Sequence, residues 1–178
     1  MFILVCGASG SGKSKIAEEL AVKHKKKKYY IATMYPDGEE AQKKILKHKL
    51  QRKDKGFITL EIYNSLEQHI NKIDTNSVVL IECIGNLISN EMFRNTHDLK
   101  TSIASKIFND IVKIYKKSGT VILVSNDVFK DICNYSCTVK QYMKSLAELN
   151  IMFAQKADIF IEAIYGNAYF LKSKNKLY

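Results

Sequence analysis

At 178 residues and 46% hydrophobic content, the chain is long enough for one well-buried core and short for two, which predicts a single domain over residues 1–178. Its formal net charge of +10 favours anionic partners, without choosing among nucleic acid, an acidic membrane surface and phosphorylated small molecules; the excess is nearly all lysine, with Arg52 and Arg94 the only arginines. No stretch approaches ~18 uninterrupted apolar residues and the start MFILVCG lacks a basic n-region, so neither a membrane span nor export is expected and the protein reads as soluble and cytoplasmic.

Apolar runs of strand length alternate with longer segments of helical period, the pattern of a parallel sheet flanked by helices. Phe2 to Cys6 predicts the first strand. A helix from Lys13 to His24 follows, with Ile16, Ala17, Leu20 and Ala21 on one face. Tyr29 to Thr33 reads as the second strand. After it comes the only proline, Pro36, and Asp37 stands three residues before Glu40 as in a capping box, opening a lysine-rich helix. Phe57 to Ile62 predicts a short strand, and Val78 to Cys83 a central one. A helix carrying Ile103, Ile107, Ile111 and Ile114 leads into the strand Thr120 to Asp127, and a long helix spans Val139 to Lys156. Gly166-Asn167 between two apolar runs predicts a closing hairpin, and the tail KSKNKLY reads as frayed.

Between the first strand and the first helix, Gly7, Ala8, Ser9, Gly10, Ser11, Gly12, Lys13 and Ser14 fit G-x-x-x-x-G-K-S. The glycines let the backbone curl so that its N–H groups face inward, and the helix N-terminus directs partial positive charge to the same point. This is a loop built for polyphosphate: Lys13 reaches the β- and γ-phosphates, and the Ser14 hydroxyl ligates the Mg²⁺ that bridges them. The expected fold is therefore the α/β P-loop NTPase fold, a mostly parallel sheet with helices on both faces and a C-terminal edge hairpin.

Such a site needs a carboxylate near the metal at a neighbouring strand end, and Glu82 is the candidate, with a salt-bridged core glutamate as its alternative reading. Asp127 is a second strand-end carboxylate, either functional or a helix cap, and Ser125 and Asn126 share that ambiguity. Cys6, Cys83, Cys133 and Cys137 lack the close-pair spacing of a zinc site and read as buried free thiols.

His48 sits within AQKKILKHKLQRK. Lys44 and Arg52, four residues away on either side, share its helix face, beside a stripe of Ile45, Leu46 and Leu50 expected to be buried. Nearby cations disfavour a charged imidazole, so its pKa is expected below the usual ~6.5, leaving a neutral ring able to act as a nucleophile. The lysines could screen a phosphate under attack. Lone surface histidines are nevertheless commonly inert, and His24, His69 and His97 have no comparable setting.

In order along the chain, ILVCGASGSGKS, YYIATM, KKILKHKLQRK, VVLIECIGNLISN, VILVSNDV and LAELNIMFAQKADIFIEAIYGNAYFLK resemble the bifunctional adenosylcobinamide kinase and adenosylcobinamide-phosphate guanylyltransferase family. The resemblance implies two reactions of corrinoid coenzyme assembly. Adenosylcobinamide is phosphorylated by a nucleoside triphosphate, ATP or GTP, and GMP then passes from GTP to that phosphate through a guanylyl-histidine. The family arrangement R-I-x-x-H-x-x-x-R reads KILKHKLQR here, which puts His48 on the nucleophile, beside Lys13 as the second catalytic residue. It also implies a trimer-based homo-oligomer, Mg²⁺, nucleotide and corrinoid partners, and no nucleic acid. At the family's R-P-x-x-W this chain has Lys53 and Phe57, and Met143 and Lys144 stand near the place of an R-D pair. A P-loop kinase of another small metabolite, in which His48 is dispensable, and a nucleic-acid-binding NTPase are the competing readings.

Overall fold

The structure is a computed structural model and describes residues 1–93, 102–129 and 134–173. Among them, seven strands form one sheet in the order β3-β2-β4-β5-β1-β6-β7. β1 (Phe2–Gly7), β2 (Lys28–Ala32), β3 (Phe57–Glu61), β4 (Ser77–Glu82), β5 (Gly119–Asn126) and β6 (Ile159–Ile164) pair in parallel, while β7 (Asn167–Ser173) returns antiparallel along β6. This is the α/β fold that the alternating pattern predicts.

The central strands read as unbroken apolar runs because both of their faces are covered. Phe2, Leu4 and Cys6 of β1 point into one layer with Val79, Ile81, Val121 and Leu123. Helices α3 (Ile84–Phe93), α4 (Ile103–Ser118) and α5 (Cys137–Lys156) close that layer with Leu87, Ile107, Ile111, Leu149 and Phe153. Ile3 and Val5 point the other way, with Val78, Leu80, Ile122 and Val124, against Ile16, Ala17 and Ala21 of α1 (Lys13–Val22). The period of two along each strand thus sorts one hydrophobic run into two cores.

Several expectations shift. The first helix ends at Val22 rather than His24. Asp37 does cap α2 (Gly38–Arg52) with an extended backbone, but its side chain makes no capping hydrogen bond, and Glu40 pairs with Lys44 instead. The stripe expected to be buried on α2 is so only in part: Ile45 is half-buried, Leu46 is 58% and Leu50 64% exposed, and Arg52 is the helix's buried residue. Helical period reports which residues share a face, not whether another layer covers it, and Leu46 and Leu50 are left largely uncovered. The hairpin turns at Tyr165-Gly166, with φ 48° and 80°, while Asn167 opens β7. A two-residue turn of this kind needs both central residues left-handed, which moves it one residue earlier than the Gly-Asn pair suggests. Cys6 is buried and its thiol is pushed up to about 12, chiefly by burial, but Cys137 is exposed at the start of α5. Cys133, His97, Arg94 and most of the tail lie outside the described residues.

The helix α3 and a 3₁₀ segment, Leu66–Lys72, were not anticipated. Ile84, Leu87 and Ile88 carry the i, i+3, i+4 signal for α3, interleaved with Gly85, Asn86 and Asn90, which favour turns. No helix among the described residues is long and apolar enough to cross a membrane.

Phe153 is fully buried, 5.9 Å from the Phe2 ring and 5.5 Å from Phe108 between centroids. Phe153→Ala removes the ring that joins α5 to β1 and α4, and is expected to cost about 3–5 kcal/mol. Urea unfolding should show a lowered midpoint at unchanged m-value.

Candidate active site

The C-terminal ends of the parallel strands converge: Gly7 stands opposite Asn126, and Glu82 opposite both Ala32 and Val124. In open α/β sheets this edge is where ligands bind. The loop from Gly7 to Ser14 turns on an Ser11 N–H bond to the Ala8 carbonyl at 3.2 Å and enters α1 through Gly12, whose φ is +90°. Lys13 Nζ folds back onto the Ala8 carbonyl at 3.0 Å, and the Ser11 hydroxyl is buried without a partner. The loop is braced from outside as well: Gly166 N–H donates to the Ser11 carbonyl at 2.9 Å, and Asp127 N–H to the Gly7 carbonyl at 3.1 Å.

Glu82 closes β4 and receives two hydroxyls. Ser14 Oγ donates to its Oε1, and Tyr30 Oη donates to its Oε2 at 2.7 Å. Burial first, and the negative charge of Glu82 second, push the Tyr30 phenol far above its ordinary range, so Tyr30 remains a donor. Glu82 therefore joins α1, β2 and β4 at one point. The Ser14 hydroxyl and the Glu82 carboxylate are hard oxygen donors, a pair that could hold Mg²⁺.

His48 reaches this point from α2. Its ring, the Glu18 carboxylate and the Glu82 carboxylate each offer an atom within 4.8 Å of the others, and its Nδ1 is buried without a hydrogen-bond partner. Polar anchors hold α2 there. The Arg52 guanidinium lies 3.6 Å from the centroid of the Tyr30 ring, Lys49 pairs with Glu61 at 2.8 Å, and Lys55, just beyond the helix, pairs with buried Glu18. Phe57 meets the Tyr30 ring edge-on at 6.0 Å, so Tyr30 contacts both a guanidinium and a second ring.

A cleft of about 780 Å³ runs from the loop to α2. Lys13, Lys15, Lys44, Lys47 and Lys55 line it against the two carboxylates Glu18 and Glu82, a balance that favours an anionic occupant. The sequence-predicted loop, Glu82 and His48 thus come together at one cleft, with Asn126 on its wall. Ser125 instead donates to Asn150 Oδ1 inside the core, and Asp127 Oδ1 accepts from Phe129 N–H at 3.4 Å. His69 approaches the Ser65 carbonyl, and neither it nor His24 lines the cleft.

Sequence reasoning missed Glu18 and Tyr30. Glu18 could have been found, because it stands four residues after Ser14 on the same helix face. Tyr30 carried no signal beyond its place in a strand. Thr33, just past β2, carries no sequence signal either: its hydroxyl donates to the Cys83 carbonyl at 2.8 Å, and Asn90 donates to its carbonyl at 2.8 Å, tying the end of β2 to β4 and α3.

The family described as cobinamide kinase / cobinamide phosphate guanyltransferase matches residues 3–171, and the chain belongs to it. It is therefore an enzyme of cobalamin biosynthesis with nucleoside triphosphates as substrates. A relative from Escherichia coli (strain K12), the bifunctional adenosylcobalamin biosynthesis protein CobU, is 27% identical over 169 residues, covering 89% of this chain and 92% of the relative. A solved structure from Pyrococcus horikoshii OT3 shares the fold, with a TM-score of 0.51 at 11% identity, covering 98% of this chain and 87% of that one.

Two loop glycines make a matched test of how the loop is shaped. A Cβ at Gly12 would lie 3.0 Å from Gly166 Cα, whereas one at Gly10, where φ is +75°, meets nothing within 4 Å. Both alanine variants carry a left-handed strain of about 1–2 kcal/mol, and only Gly12→Ala adds a backbone clash. Thermal unfolding should place Gly12→Ala below Gly10→Ala, and nucleotide affinity should fall in the same order.

Proposed function

We propose that one domain over residues 1–178 carries out both family reactions, phosphorylating adenosylcobinamide with ATP or GTP and then transferring GMP from GTP to adenosylcobinamide phosphate through a guanylyl-His48 intermediate. One observation carries this reading: the His48 ring lies within 4.8 Å of Glu82, whose carboxylate is bonded to Ser14 of the phosphate loop. A nucleophile at that distance from the loop can address a triphosphate seated there.

In this reading the loop N–H groups from Gly7 to Ser14 cradle the β- and γ-phosphates, and Lys13 leaves the Ala8 carbonyl to join them. Ser14 and Glu82 hold Mg²⁺, which when bound supplies positive charge against the pyrophosphate oxygens. In the first reaction the corrinoid hydroxyl attacks the γ-phosphorus. In the second, a His48 ring nitrogen attacks the α-phosphorus of GTP, the bond to pyrophosphate breaks, and the corrinoid phosphate then displaces the histidine. Lys44 and Lys47, beside His48 on the cleft wall, offset the charge of the two phosphates that meet there.

The same proposal includes a trimer-based homo-oligomer in the cytoplasm, with no nucleic-acid partner. Leu46 and Leu50, exposed on α2, are apolar surface such an assembly could cover.

With Mg²⁺ and GTP labelled at the α-phosphate, the wild-type chain should acquire an acid-labile label, and His48→Ala should acquire none. γ-labelled ATP with adenosylcobinamide reads the kinase reaction separately. A chain that phosphorylates the corrinoid yet never takes up the α-label would be a kinase alone.

A further inference from the structure

Glu18 has no part in the reactions as written above. It is 2% exposed, and Lys55 binds one carboxylate oxygen, Oε2, while Oε1 is buried with no hydrogen-bond partner. His48 Nδ1 is likewise buried and without a partner, and the two side chains bring a carboxylate oxygen and a ring nitrogen within 4.8 Å. Leaving polar atoms unpaired away from water is costly, and catalytic hydrogen bonds are often long until substrate closes the site. The other carboxylate in reach, Glu82, has Oε1 on Ser14 and Oε2 on Tyr30. Of these two carboxylates, Glu18 is the one with an oxygen that has no donor at all.

We infer that Glu18 is the positioning residue for His48: its Oε1 accepts the proton on Nδ1 and so fixes the ring tautomer whose lone pair is on Nε2. The inference rests on the guanylyl-histidine reading. Lys55 occupies Oε2, which leaves Oε1 as the oxygen available to the histidine. In the transfer, the Nε2 lone pair forms the bond to the α-phosphorus, and the electrons of the breaking P–O bond leave with pyrophosphate. The proton stays on Nδ1, so the ring becomes cationic. Lys44, Lys47, Lys55 and Arg52 line the same cavities as His48 and oppose that charge, and the Glu18 carboxylate beside the ring offsets them. When the corrinoid phosphate oxygen bonds to phosphorus, the N–P pair returns to Nε2 and the ring is neutral again.

Glu18→Gln tests this, because Lys55 draws the amide oxygen and turns the NH₂ toward Nδ1, favouring the opposite tautomer. Nitrogen-15 spectra of the histidines, with His48 assigned by the signals lost in His48→Asn, should show Nδ1–H in the wild type and Nε2–H in Glu18→Gln. Uptake of α-label at saturating GTP should fall by about 10²-fold or more, the scale on which loss of tautomer control acts in other histidine-dependent enzymes, with the half-saturating GTP concentration little changed. A wild-type His48 protonated on Nε2 overturns the inference without any variant, even where Glu18→Gln fails to fold. So does a Glu18→Gln chain that takes up label at the wild-type rate. No label on the wild type is a different failure, that of the guanylyl-histidine reading itself.

Discussion

The site hangs on the carboxylate of Glu82. It ends a strand whose preceding residues, Val78 to Ile81, are wholly buried, so its own position is set by the core rather than by a loop. Two hydroxyls converge on it, Ser14 from the first turn of α1 and Tyr30 from β2. A half-buried carboxylate at the end of a buried strand is held most firmly when both oxygens have donors, and these two come from different elements. The consequence reaches α2, because the Tyr30 ring that Glu82 steadies is the surface on which Arg52 lies. Phosphate loop, metal-competent carboxylate and histidine helix are linked through one side chain.

That linkage matters because α2 has little else to hold it. Its apolar side chains are mostly out in solvent, and its salt bridge from Lys49 to Glu61 joins half-exposed groups, a kind of pair worth about 0–1 kcal/mol. The Arg52–Tyr30 stack and, just beyond the helix, the pairing of Lys55 with buried Glu18 are its better-buried polar contacts. A helix held at its C-terminal end by a few polar anchors can adjust over the cleft at small cost, whereas a helix packed by a broad apolar face cannot. In the proposed two-step reading, the same histidine would meet first a triphosphate and then a bulky phosphorylated partner. Weak packing of α2 beside rigid packing of the sheet is suited to that task.

Much of this was legible in the residues. Unbroken apolar runs at Val78 and Val121 gave central strands because both faces of those strands are covered, and G-x-x-x-x-G-K-S fixed the loop because few other sequences can curl a backbone around phosphate. Glu82 was legible from the cost of an unpaired carboxylate at a strand end. What stayed hidden were contacts between distant parts of the chain. Tyr30 reads as one more aromatic strand residue until Arg52, Phe57 and Glu82 arrive around it. Leu46 and Leu50 have helical spacing and no cover, which spacing alone does not disclose. Glu18 lay in a helix whose apolar residues drew attention to its other face, although its separation from Ser14 held the clue.

The phosphate loop shows the same limit in its sharpest form. Its eight residues are contiguous, yet its shape depends on Gly166, from a hairpin at the other end of the chain, which donates to the Ser11 carbonyl and lies where a Gly12 side chain would be. The Tyr165-Gly166 turn tolerates this because both residues are left-handed and the second has no side chain to collide with the loop. A loop that cradles phosphate by backbone N–H groups gains most when those groups are already aimed before the ligand binds, since no reorganisation is then needed at the moment of reaction. Aiming them requires a partner outside the loop, and the antiparallel return of β7 along β6 supplies it. The edge hairpin, largely exposed along β7, thereby braces the loop proposed to hold the nucleotide.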